Sequence, residues 1–227
     1  MKLFGTDGIR GKYGDYPLDK STIKKIGFAI SHILNDGKIE KIFISHDGRE
    51  SHGSILSNLI KGISSDHKYE IIYLDLLPTP AMSFILNNTS LDSIGIQITA
   101  SHNPYTDNGI KIFNKLGFKI NQFQENEIEK IVDSEDEIMK YNILDISHDN
   151  TYRGLYINFL SELVSTISKT SQKLNIAVDC ANGATSKVIS DINWPKNISF
   201  TIVNNSPNGQ NINDKCLSLI HIPSPRD

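Results

Sequence analysis

The sequence predicts a layered α/β fold, a first α/β domain followed by the beginning of a second. Short apolar runs alternate with segments of helical apolar spacing, and several of those runs end directly in loops rich in Gly, Asn, Asp and Ser. The alternation weakens near residues 141–152 and then resumes. Sheets covered by helices in this way take their ligands at loops beyond the strand carboxyl ends, so those loops are where chemistry is sought.

From Pro17, the residues Ile23, Ile26, Ile30, Ile33 and Leu34 recur at helical spacing, with Ser21 and Thr22 as caps and Asn35-Asp36-Gly37 as the stop. Lys41 to Ser45 reads as a strand entering His46-Asp47-Gly48-Arg49, and helical spacing returns at Ile55, Leu56, Leu59, Ile60 and Ile63. Tyr69 to Leu74 predicts a second strand, and the prolines of Leu77-Pro78-Thr79-Pro80 force a turn before a short helix at Met82 to Leu86. Ile94, Ile96 and Ile98 alternate with Ser93, Gly95 and Gln97, the period of a third strand, which runs straight into Thr99-Ala100-Ser101-His102-Asn103-Pro104. Ile110 to Phe113 is a further extended segment.

Gln124 to Lys140 holds seven acidic side chains among spaced isoleucines and reads as a solvated helix face. Leu155 to Ile167 then predicts a helix, Leu174 to Asp179 a strand, Cys180 to Thr185 a loop opening another helix, and Ser199 to Val203 a strand. The first domain is placed at residues 1–145, a partial second at 150–216, and a tail of separate character at 217–227.

A formal charge of -3 and a pI near 6.2 remove the basic field that gathers nucleic acid or anionic lipid. With 38% hydrophobic and 22% charged residues, the chain can build cores and is not of disordered composition. Its two cysteines, Cys180 and Cys216, give neither a disulfide framework nor a zinc quartet. No run approaches the roughly 18 apolar residues of a membrane span. These features predict a cytoplasmic protein without membrane or nucleic-acid partners.

Phe4-Gly5-Thr6-Asp7-Gly8-Ile9-Arg10-Gly11 suits a backbone passing close to an anion gripped by Arg10, and it equally suits a glycine-rich turn with an ordinary Arg-Asp contact. Ser101, at the mouth of a strand with His102 and Asn103 beside it, reads as a nucleophile or phosphate carrier, or as a capped turn. The alternation Ile110-Lys111-Ile112 turns Lys111 away from its apolar neighbours, where it can transfer protons, supply fixed charge or simply meet solvent. Asp47-Gly48-Arg49 reads as a structural ion pair or a ligand contact. His46 and His52 lack a partner spacing for metal and read as surface residues, and Cys180 reads as a small buried residue.

Taken together, these motifs, with Asp107-Asn108-Gly109-Ile110-Lys111, Pro78-Thr79-Pro80-Ala81, Val178 to Ala184 and Pro207 to Asn213, closely resemble the α-D-phosphohexomutase family in its bacterial phosphoglucosamine mutase branch. The resemblance runs in order from Phe4 to about Cys216. It implies a phosphohexomutase-like first domain and an incomplete second. The implied activity interconverts glucosamine 6-phosphate and glucosamine 1-phosphate through glucosamine 1,6-bisphosphate. Ser101 would be the phosphoserine, Lys111 the general acid/base, and Arg10 and His102 groups around the reacting phosphate and sugar hydroxyls. Thr6, Asn103 and Arg49 would contact substrate or phosphate. Mg²⁺ would bind the seryl phosphate, its remaining aspartate ligands coming from a later loop absent from this chain. Gly48 departs from the family, where Thr is usual, which removes a hydroxyl from that loop. Family members continue well beyond this length, and Leu217–Asp227 match nothing in them, so the chain reads as truncated and inactive alone. Phosphomannomutase or phosphoglucomutase activity, or a noncatalytic sugar-phosphate-binding module, are the competing readings.

Overall fold

The structure, a computed structural model, describes residues 2–33, 39–65, 69–89, 92–134, 141, 146–167 and 172–216. Acidic residues 135–137 and the tail at 217–227 lie outside the described residues.

The glycine-rich amino terminus, read as a loop, is a hairpin: β1 (Phe4–Gly5) turns through Thr6-Asp7 into β2 (Gly8–Lys12). Helix α1 (Lys20–Ile33) follows, and its cap is Asp19 rather than Ser21 or Thr22: Asp19 Oδ1 accepts from both their amides at 3.0 Å. Next come β3 (Lys41–His46), α2 (His52–Ile63), β4 (Glu70–Leu76), α3 (Thr79–Asn87), β5 (Ser93–Ile98), β6 (Asp107–Phe113) and α4 (Gln122–Ser134).

A short strand that periodicity does not reveal, β7 (Ile146–His148), pairs in parallel with β4 through Ile71 and Ile146. The first sheet therefore reaches past residue 145. It has seven strands in the order β1-β2-β6-β5-β3-β4-β7, with β3, β4, β5 and β7 parallel and the β1, β2, β6 side antiparallel.

Isoleucines build one face. Ile42, Ile44, Ile94, Ile96, Ile98 and Ile110 pack under α1, α2 and α4. The opposite face sets Phe43, Ile72 and Leu74 against Met82, Ile85 and Leu86 of α3. With both faces covered, even the polar positions of β5 are buried, so Gln97 must be answered: Ser45 Oγ donates to its Oε1 at 2.6 Å and its Nε2 donates to Leu77 O at 3.1 Å.

Helix α5 (Asn150–Ile167) packs on α3, where Phe84 meets Phe159 with ring centroids 4.6 Å apart. Beyond it, β8 (Leu174–Asp179) leads to the one-turn helix α6 (Thr185–Val188), a 3-10 turn at Ile189–Asp191, and β9 (Ile198–Val203), which pairs in parallel with β8. Val188, Ile189 and Ile192 join the same core as Met82 and Phe43, so the second unit shares packing with the first. Cys180 is buried as expected. No helix among the described residues is long and apolar enough to cross a membrane.

His46 is not the surface residue its sequence context suggests. It is 4% exposed, and its ring stacks face to face on that of His52, the centroids 3.7 Å apart and the planes nearly parallel. The chain doubles back after β3, so Gly48 N donates to His46 Nδ1 at 3.0 Å and His46 Nε2 donates to Asp75 Oδ1 at 3.1 Å. Asp75, left-handed at φ 58°, also accepts from Lys187 Nζ of the second unit at 2.8 Å. The His46 hydrogen bond, then that of Lys187 and its charge, hold the Asp75 carboxyl far below the usual carboxylate range against the opposing effect of burial.

A depressed folded-state pKa contributes stability that is present above the unfolded value of about 3.9 and is lost as pH falls through the folded one. Asparagine tolerates the left-handed backbone, so Asp75→Asn isolates the charge. Because the Asp75 side chain is half exposed, screening limits the expected cost to about 0.5–1 kcal/mol in urea unfolding near neutral pH. The gap between the two proteins should close in acid. A gap that stays constant with pH would show that the negative charge is not what Asp75 contributes.

Candidate functional site

Ile9, Ile98 and Ile110 stand level on β2, β5 and β6 and point into the isoleucine core. The period of two therefore sends Arg10, Gly109 and Lys111 to the other face. Gly109 lets the strands close there, since a Cβ on it would lie 2.5 Å from Thr99 O and 2.6 Å from Ile9 O.

On that face Asp7 Oδ2 accepts from Lys111 Nζ at 2.6 Å and from Arg10 Nη2 at 3.1 Å. Burial opposes ionisation of Asp7, yet the hydrogen bond and charge of Lys111, with the charges of Arg10 and Lys119, hold its pKa below the ordinary carboxylate value. Arg10 Nε is buried without a partner among the described residues. Thr6 is exposed, its carbonyl accepting from Lys119 Nζ at 3.0 Å. Thr6, Asp7 and Arg10 line a cavity of about 500 Å³ with Lys2 and Phe4.

Ser101 lies just past the carboxyl end of β5, exposed together with His102, and its φ is 59°. A non-glycine residue in the left-handed region needs surrounding structure to hold it. Here Ser101 N donates to Thr99 Oγ1 at 3.0 Å, and Thr99 Oγ1 donates to Asp47 Oδ2 at 2.6 Å. The same Asp47 oxygen accepts from Arg49 Nε at 2.9 Å.

The guanidinium of Arg49 then spans the loop. Nη2 donates to Ser101 O at 2.9 Å, and Nη1 donates to Asp107 O at 3.0 Å and to Pro104 O. Arg49 is 0% exposed. Of the two readings the sequence left open for it, Arg49 makes the structural ion pair, and it faces protein carbonyls, with Gly48 at φ 104° turning the chain so that the side chain lies beneath the loop. A threonine at position 48 would be strained in that backbone conformation.

Asn103 Nδ2 donates to Asp107 Oδ2 at 2.9 Å, closing the same loop. From the second unit, Asn213 Nδ2 donates to Ser101 O at 2.9 Å and to Asn103 O at 3.2 Å. A second cavity, about 390 Å³, opens between His102 and Tyr105 on one side and Gln210 and Asp214 on the other.

The structure thus brings Arg10 and Lys111 together through Asp7, sets Ser101 and His102 in the open, and withdraws Arg49. Sequence reading did not single out Asp7, Asp47, Thr99 or Asn213 as site residues. The signal that could have found them is that each lies within one of the loop motifs at 4–11, 47–49, 99–104 and 207–213. Among the described residues no three carboxylate, imidazole or thiol side chains gather as a cation site.

A model of the phosphoglucomutase/phosphomannomutase family, alpha/beta/alpha domain I, matches residues 1–139. The phosphoglucosamine mutase of Aliarcobacter butzleri is 37% identical over 221 residues, covering 95% of this chain and 49% of its own. That of Thermodesulfovibrio yellowstonii is 36% identical, covering 96% and 49%. The chain spans about half the length of the curated relatives it matches. Among solved structures, a phosphoglucomutase/phosphomannomutase family protein from Burkholderia thailandensis aligns with a TM-score of 0.72 at 22% identity, covering 92% of this chain and 45% of its own. The N-acetylphosphoglucosamine mutase of Aspergillus fumigatus, in complex with GlcNAc-6P and magnesium, aligns at 0.51 and 15%, covering 94% and 43%. At these identities the structures establish the fold.

Arg49→Ala should be severe, because it leaves Asp47 buried without its cation and frees the carbonyls of Ser101, Pro104 and Asp107. Removing one partner of a buried pair costs about 3–5 kcal/mol. Urea unfolding of the two proteins measures it, and a loss under about 1 kcal/mol would mean that the loop closes without the guanidinium.

Proposed function

The chain belongs to the phosphoglucomutase/phosphomannomutase family, and on that premise we propose that it is the part of a phosphoglucosamine mutase that carries the phosphoryl group. The reaction is the interconversion of glucosamine 6-phosphate and glucosamine 1-phosphate through glucosamine 1,6-bisphosphate, with Ser101 as phosphoserine. The observation that carries this reading is the setting of Ser101: exposed, left-handed and held by its own backbone groups, its hydroxyl making no hydrogen bond to the network beneath it among the described residues. The names of the relatives support hexosamine over other sugars.

In transfer from the enzyme the bond between phosphorus and Ser101 Oγ breaks, a bond from phosphorus to a sugar hydroxyl oxygen forms, and the proton lost by that hydroxyl ends on the departing Ser101 Oγ. Lys111 is the proton carrier in this reading. Arg10 supplies fixed positive charge and donors to phosphate oxygens, which carry about -1.5 to -2 charge on a phosphoserine. His102 and Thr6 lie exposed where they can meet sugar hydroxyls or phosphate, and Asn103 orders the loop. The Ser101 phosphate would hold a Mg²⁺ ion, which would supply neutralisation of the phosphate oxygens for in-line transfer. In this reading the chain's own contribution to that ion would be the Ser101 phosphate.

The test joins residues 1–214 to the remaining part of the Aliarcobacter butzleri enzyme and follows glucosamine 1-phosphate formation with Mg²⁺ and glucosamine 1,6-bisphosphate as primer. Phosphopeptide mapping should place the phosphate on Ser101. Lys111→Ala should lower turnover by about 10²- to 10⁴-fold, the usual worth of general acid-base catalysis. Phosphate found solely on another residue would remove Ser101 from its role. A loss under about threefold in a folded variant would remove Lys111.

A further inference from the structure

The carbonyl of Ser101 is held from two directions. Arg49 Nη2 reaches it from beneath at 2.9 Å, within the first unit, and Asn213 Nδ2 reaches it from the second unit at the same distance. The Asn213 amide has two N–H groups, and its nitrogen also lies 3.2 Å from Asn103 O, so both protons have acceptors on the serine loop.

Asn213 is itself built into place. Its φ is 62°, and its backbone N–H donates to Ala181 O at 2.8 Å, tying it to the loop after β8. Asn182 secures the rest of that segment, accepting from Ser206 N at 3.1 Å and donating to Asn211 O at 3.3 Å. The segment also grips the residue next to Arg49: Glu50 N donates to Gly209 O at 2.9 Å, and Gln210 Nε2 donates to Glu50 Oε2 at 3.0 Å. The second unit therefore touches both arms of the network that fixes Ser101.

We infer that Asn213 is a positioning residue for Ser101: its amide holds the Ser101 and Asn103 carbonyls, so that the left-handed geometry of the serine loop depends on the second unit being docked. The inference rests on the reading of Ser101 as the phosphoryl carrier. It concerns a contact 112 residues away in sequence and a residue that does not touch the transferred group.

Two variants separate the amide from the backbone. Asn213→Gly accepts the left-handed φ and removes the amide, and Asn213→Asp keeps the size but sets a carboxylate against two carbonyls. Hydrogen exchange is read on the 227-residue chain at the Ser101 and Asn103 amides, which donate to Thr99 Oγ1 and Ala100 O. In both variants these should exchange about tenfold faster or more, while β8 and β9 keep the wild-type rate. In the joined enzyme described above, Asn213→Gly should lower kcat by about tenfold with KM changed less than about twofold, the signature of an interaction that acts on the transfer step. Unchanged exchange at the serine loop, faster exchange spread through β8 and β9, or an unchanged kcat would each overturn the inference. A joined wild-type enzyme that makes no glucosamine 1-phosphate would instead sink the reading of Ser101, and the exchange result would still decide the contact.

Discussion

The buried guanidinium of Arg49 is the constraint from which the serine loop takes its shape. A cation removed from water is tolerable only where its N–H groups find acceptors and its charge finds a partner. Here the partner is Asp47 and the acceptors are backbone carbonyls at Ser101, Pro104 and Asp107, spread along one loop. Satisfying the cation and folding the loop are thus the same event. Thr99 extends the network by passing a hydrogen bond from the Ser101 amide to Asp47, so one carboxylate oxygen fixes both the arginine and the strand end.

The division of labour among cations follows from the faces of the sheet. Strand alternation commits Ile9, Ile98 and Ile110 to the core, which leaves Arg10 and Lys111 on the opposite side, where Asp7 joins them. Arg49 enters from a loop after β3 and is consumed beneath the serine. A guanidinium that is fully buried and engaged at all three nitrogens by protein acceptors shapes the loop above it, while the charge beside the cavity at the amino-terminal hairpin comes from Arg10 and Lys111 on the opposite face of the sheet.

Much of this was legible in the sequence, for particular reasons. The alternation Ile94 to Ile98 and Ile110 to Ile112 announced strands β5 and β6, and it also placed Lys111 on the face opposite the isoleucines, because side-chain direction in a strand has a fixed period. The hairpin β1–β2 escaped notice since each strand is too short and glycine-rich to show a period. Strand β7 has three exposed residues and exists through pairing with β4, a long-range contact that local pattern does not record. The burial of Arg49 and His46 was hidden for a related reason. Whether a polar residue after a strand faces solvent depends on what folds over it, and here loops from distant parts of the chain do so. Asn213 is the extreme case, a short polar residue whose partner is a carbonyl in another unit.

The Asp7 carboxylate is what keeps the two cations Arg10 and Lys111 together. Arg10 and Lys111 both donate to one of its oxygens, so two positive groups are held within a few ångströms of each other. At an effective dielectric near 20, two unit charges about 4 Å apart repel by about 4 kcal/mol. Asp7 offsets that repulsion and keeps the pair assembled, with its own ionisation favoured in return. Its side chain remains 44% exposed, so the carboxylate is neither locked away nor sealed from an incoming ligand. An anion carrying more charge than a carboxylate, with oxygens at similar spacing, competes for the same two donors and needs no new arrangement of the sheet to do so. Under the proposed function a phosphate would meet cations already positioned, and the cost of bringing them together is carried by a residue of the turn between β1 and β2.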